Sequence, residues 1–391
     1  MRRTYRFLLR PTSKQVVALN STLRIHCEIY NAGLEHRRGA WSRSRKTVSY
    51  FEQCVEFTEL RTLRADIGAL HVQSAREPLR RLEQTFAAFY RRSKRGGKPG
   101  YPRFKSPSRW DSLVIPQPPA DGALRSGRLN VPGIGSIRCH QHRAIPDAAR
   151  VKQVIVKREG SRWYALLSCD DLPVHALAPT GAVAGMDLGI ASFLTTSDGV
   201  HIANPRYGAA SAARLATAQR LMMRCKRGSA RRQRARERVA AIQGRVRRQR
   251  LDHAHKTALA LVRGYDLIVH EALGVKNMTR SPASRPDDLG GYLPNGAAVK
   301  AGLNRSILDA GWGVFLRVLA GKAEEAGREL IAVDPRDTSR TCPECGYVAA
   351  ENRVSQAVFR CGRCDHAAHA DVVGATNILR AGLARRDAYV A

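Results

Sequence analysis

Four of the nine cysteines stand as two close pairs. Cys342 and Cys345 form one C-x2-C, Cys361 and Cys364 a second, and fifteen residues separate the pairs. Thiolates at this spacing sit on two tight turns and point into one tetrahedron, the arrangement of a structural zinc site. With all four positions filled by protein, no coordination position is left open for chemistry. A redox pair is the rival reading, but it needs only one C-x-x-C. A ribbon this short has little core and depends on its metal to fold. Cys27, Cys54, Cys139, Cys169 and Cys225 are scattered and read as buried, inert thiols of a reducing compartment.

Three carboxylates stand out by position. Asp187 falls within residues 183–199, VAGMDLGIASFLTTSDG, which read as two adjacent strands with a charge midway along the first. A charge inside a buried strand is costly unless it is paired or holds a metal. Glu271 ends the short apolar run of YDLIVHEAL, and Asp371 opens a helix with Ala375, Ile378, Leu379 and Leu383 on one face. Taken singly, a solvated strand-end Asp and acids at helix N-termini account for all three.

The elements that must position these residues follow from periodicity. Tyr5, Phe7 and Leu9 alternate with basic residues as a half-buried strand, and Pro11 ends it. Residues 14–90 are helical in pattern. Residues 91–110 carry eight basic residues in twenty, interleaved with Tyr101, Phe104 and Trp110, which suits phosphate contact and base stacking better than a plain linker. Short β-runs fill residues 113–169 and argue for a small antiparallel barrel that the opening strand joins. Residues 171–181 read as a linker.

Residues 214–256 hold fifteen Lys and Arg against Glu237 and Asp252, on a thin apolar stripe. This predicts a long helix or helical hairpin interrupted near Gly228. A solvated face would mix both signs, so a polyanion backbone is expected against it. Residues 275–305 suit a mobile loop, 301–327 one helix, and ELIAVDP a strand.

The totals agree. In 391 residues, 66 Lys and Arg face 33 Asp and Glu, a net charge of +33. Such self-repulsion is relieved by a polyanion, and nucleic acid is the favoured partner. No apolar run approaches a spanning helix or a signal peptide, so no membrane role is expected and the cytoplasm is the default.

The motifs GMDLGI, IVHEAL and HADVVGATNIL, around Asp187, Glu271 and Asp371, resemble the three nuclease motifs of a RuvC-type, ribonuclease-H-like domain. The ribbon set just before the third is similar to that of the transposon-encoded TnpB family and the related miniature type V CRISPR effectors. KPGYPRFKS, RLDHAHK, LGVKNM and DTSRTCPECG extend the resemblance over almost the whole chain. In one departure, Val373 and Gly374 stand where the family usually has Asn and Ala, which touches a supporting contact and not the carboxylate.

The resemblance implies a multidomain α+β protein. A wedge β-barrel is expected at 1–13 and 91–172, a helical recognition insert at 14–90 and a linker at 173–182. A RuvC-like domain is expected at 183–336 and 366–391, with a zinc ribbon inserted at 337–365. It implies an RNA-guided DNA endonuclease in which Asp187, Glu271 and Asp371 hold two Mg²⁺ (or Mn²⁺) and cut beside a short adjacent motif. The four cysteines would hold one Zn²⁺. The partners would be a guide RNA from the transposon end (an ωRNA) and double-stranded target DNA, with one protein monomer per RNA, at the nucleoid of a prokaryotic cytoplasm. Candidate nucleic-acid contacts are Arg103, Phe104, Lys105, Arg231, Arg232 and Lys256. The alternatives are a guided, non-cleaving repressor, a CRISPR effector using a CRISPR RNA, and a nuclease acting without RNA.

Overall fold

A computed structural model describes residues 2–97, 99–118, 124–288 and 290–390. Lys98 of the basic loop, residues 119–123 of the expected barrel, and Leu289 of the expected loop lie outside the described residues. The chain divides into two compact units, Met1–Pro173 and Val174–Ala391.

The first unit comprises β1 (Arg3–Arg10), α1 (Ser13–Ser44), α2 (Tyr50–Leu63), α3 (Ala65–Gly68) and α4 (Val72–Lys94), followed by six strands. These are β2 (Ser112–Ile115), β3 (Leu124–Arg125), β4 (Arg128–Val131), β5 (Gly135–His140), β6 (Arg150–Glu159) and β7 (Arg162–Asp170). They form one antiparallel sheet in the order β2-β6-β7-β1-β5-β4-β3. The opening strand does join it, in the middle, with Phe7 opposite Ala165. Its alternation buries Tyr5, Phe7 and Leu9 on one side, as period two requires. That side merges with Leu23, Tyr30 and Leu34 of α1 and Leu82 and Phe86 of α4 in a single core. Thr12 starts α1 by a reciprocal capping box with Gln15.

The second unit holds β8 (Val183–Asp187), β9 (Ser192–Thr196), β10 (His201–Ala203), α5 (Tyr207–Met223), α6 (Ala230–Gly264) and β11 (Leu267–Glu271). There follow α7 (Val275–Met278), α8 (Ala297–Ala310), α9 (Trp312–Ala326), β12 (Glu329–Val333), β13 (Val358–Arg360), β14 (Ala367–His369) and α10 (Ala370–Val390). A five-stranded sheet runs β10-β9-β8-β11-β12. The β8, β11 and β12 strands are parallel, and β9 and β10 are antiparallel to their neighbours. One face packs Met186 and Ile268 on Ala258 and Leu261 of α6 and Phe315 and Leu319 of α9. The other packs Leu267 and Val269 on Ile378 and Leu383 of α10.

Two expectations change. The single helix over 301–327 is two, because Gly311 adopts φ 75°, a left-handed conformation that ends α8 and begins α9. The polar stretch at 275–305 is also not all loop, since α7 and the first turns of α8 lie within it. Residues 174–181 are bonded into the second unit: His175 and Leu177 donate to Glu325 and Ala326, and Thr180 and Gly181 donate to the Asp266 carboxylate.

Candidate functional site

The three carboxylates converge. The β8 and β11 strands are parallel neighbours with His270 opposite Met186, so Asp187 and Glu271 end adjacent strands side by side. Because successive side chains alternate, both point to the face that α10 covers, whereas Met186 and Ile268 point away into the other core. Asp371 stands in the first turn of α10 and is 8% exposed. The helix sits this close because residue 185 is glycine. A Cβ there would run into the Ala375 carbonyl and lie 2.6 Å from the Leu379 nitrogen.

The charges oppose one another. Burial, then Glu271, then Asp371 push the Asp187 carboxyl up to about 7, against an ordinary 3.8, while Arg353 and the Leu188 N–H pull it down. Burial also raises Glu271, with the Thr338 hydroxyl and Arg353 opposing. Carboxylates that disfavour one another's ionisation are what a hard divalent cation relieves, so the residue types suit Mg²⁺ or Mn²⁺.

Supporting contacts that no motif reading named come from outside the sheet. Thr338 donates to Glu271 Oε1 at 2.7 Å. Asn377 of α10 donates to the Thr338 and Thr341 carbonyls at 2.8 and 2.7 Å, tying helix, ribbon entry and Glu271 together. Arg353 donates to Asp371 Oδ1 at 3.3 Å. Thr338 falls within DTSRTCPECG and Asn377 within HADVVGATNIL, whereas Arg353 lies in no motif. Val373 is buried among Cys342, Phe359 and Cys361, so the residue that departs from the usual Asn fills the ribbon's base and points away from chemistry. At Gly374 a Cβ would meet Asp187 Oδ2 at 3.5 Å, ordinary contact, so the second departure leaves the carboxylate undisturbed.

The cysteines also converge. Cys342 and Cys364 sulfurs lie 3.6 Å apart, as do those of Cys345 and Cys361. A tetrahedron with bonds of about 2.3 Å has edges of about 3.8 Å, so four thiolates here fit zinc. Tight turns present each pair, with Gly346 donating to Cys342 and Asp365 to Cys361. Fully buried Asn352 joins the turns, donating to Tyr347 and Arg340 and accepting from Gly362.

The six candidate nucleic-acid residues divide. Arg103, Arg231 and Lys256 are exposed, and Phe104 is 48% exposed beside a shallow cleft with Tyr101 and Arg38. Lys256 pairs with Asp252 one turn back at 2.8 Å. Two are corrected. Lys105 is half-buried, its ammonium 4.9 Å from the Tyr30 ring centre, and its carbonyl accepts from Asn31. Arg232 donates to the Met222 and Cys225 carbonyls, closing the hairpin of α5 on α6. Trp110, read as a stacking aromatic, is 2% exposed and belongs to the core.

Two family models match the chain. One, "Probable transposase", covers residues 156–282 and takes in Asp187 and Glu271. The other, "Cas12f1-like, TNB domain", covers residues 312–378 and takes in the four cysteines, Arg353 and Asp371. A "Putative RNA-guided DNA endonuclease" of Streptomyces pristinaespiralis is 32% identical over 393 residues, covering 98% of this chain and 90% of that protein. The "Putative RNA-guided DNA endonuclease InsQ" of Escherichia coli (strain K12) is 30% identical over 387 residues, covering 97% and 92%. A cryo-EM structure of a Cas12f1-sgRNA-target DNA complex is 14% identical, covering 97% of this chain and 99% of that one, at a TM-score of 0.36, a likeness too loose to argue from. Identity of this order along nearly the full length of two relatives settles the family: the chain belongs to the TnpB family of transposon-encoded, RNA-guided DNA endonucleases.

Proposed function

We propose that this endonuclease cuts target DNA at Asp187, Glu271 and Asp371 by phosphodiester hydrolysis, next to a short adjacent motif, directed by an ωRNA from the transposon end. The observation that carries the reading is the meeting of three carboxylates, from segments 84 and 100 residues apart, at one partly buried point where Glu271 and Asp371 raise the cost of charging Asp187. Two bound divalent cations would supply an activated water and offset charge on the leaving oxygen. The protein's own part is positional. Asp187 and Glu271 offer oxygens from strand ends, Asp371 offers one from the helix, Thr338 orients Glu271, and Arg353 brings a positive charge suited to the scissile phosphate. The four cysteines hold zinc and keep the segment bearing Arg353 folded.

In this reading the sheet of the first unit is the wedge, with residues 14–90 as the recognition insert. Residues 183–336 and 366–391 form the RuvC-like domain, and 337–365 the ribbon. Arg103 and Phe104, and separately Arg231 and Lys256, contact the guide or the target duplex through phosphates and, at Phe104, stacking. One monomer serves each RNA, at the nucleoid. The complete carboxylate set gives the non-cutting repressor no supporting observation.

The test is to express the protein with its flanking transposon-end DNA and sequence the RNA that copurifies. A discrete RNA from that end, which directs cutting when its guide segment is changed, is the expected result. Cutting that ignores the RNA, or no specific RNA, contradicts it.

A further inference from the structure

His201 and His369 have no part in the reading above, yet both reach Asp371. His201 opens β10 at the antiparallel edge of the sheet, opposite Thr195. His369 ends β14, two residues before Asp371. Their rings meet edge to face with centroids 4.6 Å apart. One ligand atom from each of His201, His369 and Asp371 lies within 4.8 Å of the others. The imidazoles are exposed and the carboxylate is buried beneath them, so a cation has an open approach and a fixed floor.

The donor set decides the cation class. Mg²⁺ takes oxygen and sheds water reluctantly, whereas imidazole nitrogen favours Ni²⁺, Co²⁺, Zn²⁺ and, more weakly, Mn²⁺. The His201 ring is already oriented, with Nδ1 3.0 Å from Thr195 Oγ1 and 3.5 Å from Ser192 Oγ. Such outer hydrogen bonds fix the ring at metal centres and leave Nε2 for the cation. Two long contacts already engage the other partners: Arg353 donates to Asp371 Oδ1, and the Asp371 N–H donates to His369 Nδ1, both at 3.3 Å and therefore weak.

We propose that His201, His369 and Asp371 form a site for a divalent transition-metal cation, separate from the cysteine ribbon and sharing Asp371 with the carboxylate cluster. On the reading of that cluster as the nuclease centre, a cation drawn to the imidazoles takes Asp371 from it and slows cleavage.

The experiment uses tag-free full-length protein with its ribbon zinc retained, titrated with Ni²⁺ in magnesium-free buffer by calorimetry. Wild type is expected to bind one Ni²⁺, weakened at least tenfold in both His201→Ala and His369→Ala and kept in Asp187→Ala. Unchanged zinc content and circular dichroism show that the variants are folded, as two exposed side chains allow. Absence of Ni²⁺ binding in wild type overturns the proposal. So does binding that survives both histidine changes, or that disappears with Asp187→Ala alone. Because the readout is binding, a nuclease reading that failed by an active Asp187→Ala would leave this result standing.

Discussion

Asp187 is the residue on which the site's electrostatics turn. Burial and two neighbouring carboxylates hold it up to about 7 without a cation. Between its ordinary 3.8 and that value the folded chain binds more protons than the unfolded one, so stability falls as pH rises through this window. A shift of that size corresponds to at most about 4 kcal/mol. In magnesium-free buffer with ribbon zinc intact, Asp187→Asn should therefore melt higher than wild type at pH 8, and the two should approach each other near pH 4. Thermal melts across pH check this, and an Asn variant no more stable at pH 8 would mean the three charges do not repel as described. The same scale shows what residue type alone reveals. Cysteines and carboxylates were legible because their chemistry is carried by identity and spacing. Thr338, Arg353 and Asn352 were not, because a Thr, Arg or Asn gains its role only from the carboxylate or carbonyl that the fold sets before it. Lys105 and Arg232 show the converse: composition counts positive charges but not the ring or carbonyl each one faces.

At the scale of elements, α10 on β8 is the joint that closes the site. Gly185→Ala places a methyl against the Ala375 carbonyl and Leu379 nitrogen, both backbone, so the helix and not a side chain must give way. A loss of about 1–3 kcal/mol is expected from such overpacking. Cleavage should fall further than RNA binding, since Asp371 moves with the helix. Equal losses of both would place the damage elsewhere. The ribbon is the second such element. Its buried residues are few, among them Cys342, Phe359, Cys361 and Val373, and Val373 belongs to α10 itself. Zinc removal should unfold residues 337–369 and release Arg353, which limited proteolysis and lost cleavage would show together. A ribbon that stays protease-resistant without zinc would contradict the metal's structural role. Most elements were legible from period and breakers, including the basic hairpin, whose α5 and α6 flank Gly228. The break at Gly311 was missed because a lone glycine inside a helical pattern is tolerated at a cost of about 1 kcal/mol and need not end the helix.

Over the whole molecule, a net charge of +33 is a property of the particle that its partner must answer. Guide and target strands supply that answer, and the carboxylate point is where the surplus locally reverses, with three acids close together in a chain that has twice as many basic residues. On the proposed function, this one acidic point cuts while the basic remainder binds. The most direct measurement pairs cleavage with binding of a guide-matched duplex in Mg²⁺, for wild type and for Asp187→Ala, Glu271→Ala and Asp371→Ala. Each variant is expected to bind guide and target within a few-fold of wild type and to cut at a rate reduced by about 10³ or more, on the order expected when a metal-holding charge is lost. A variant that cuts at near wild-type rate would remove its residue from the centre, and three that do so would mean that cleavage happens elsewhere.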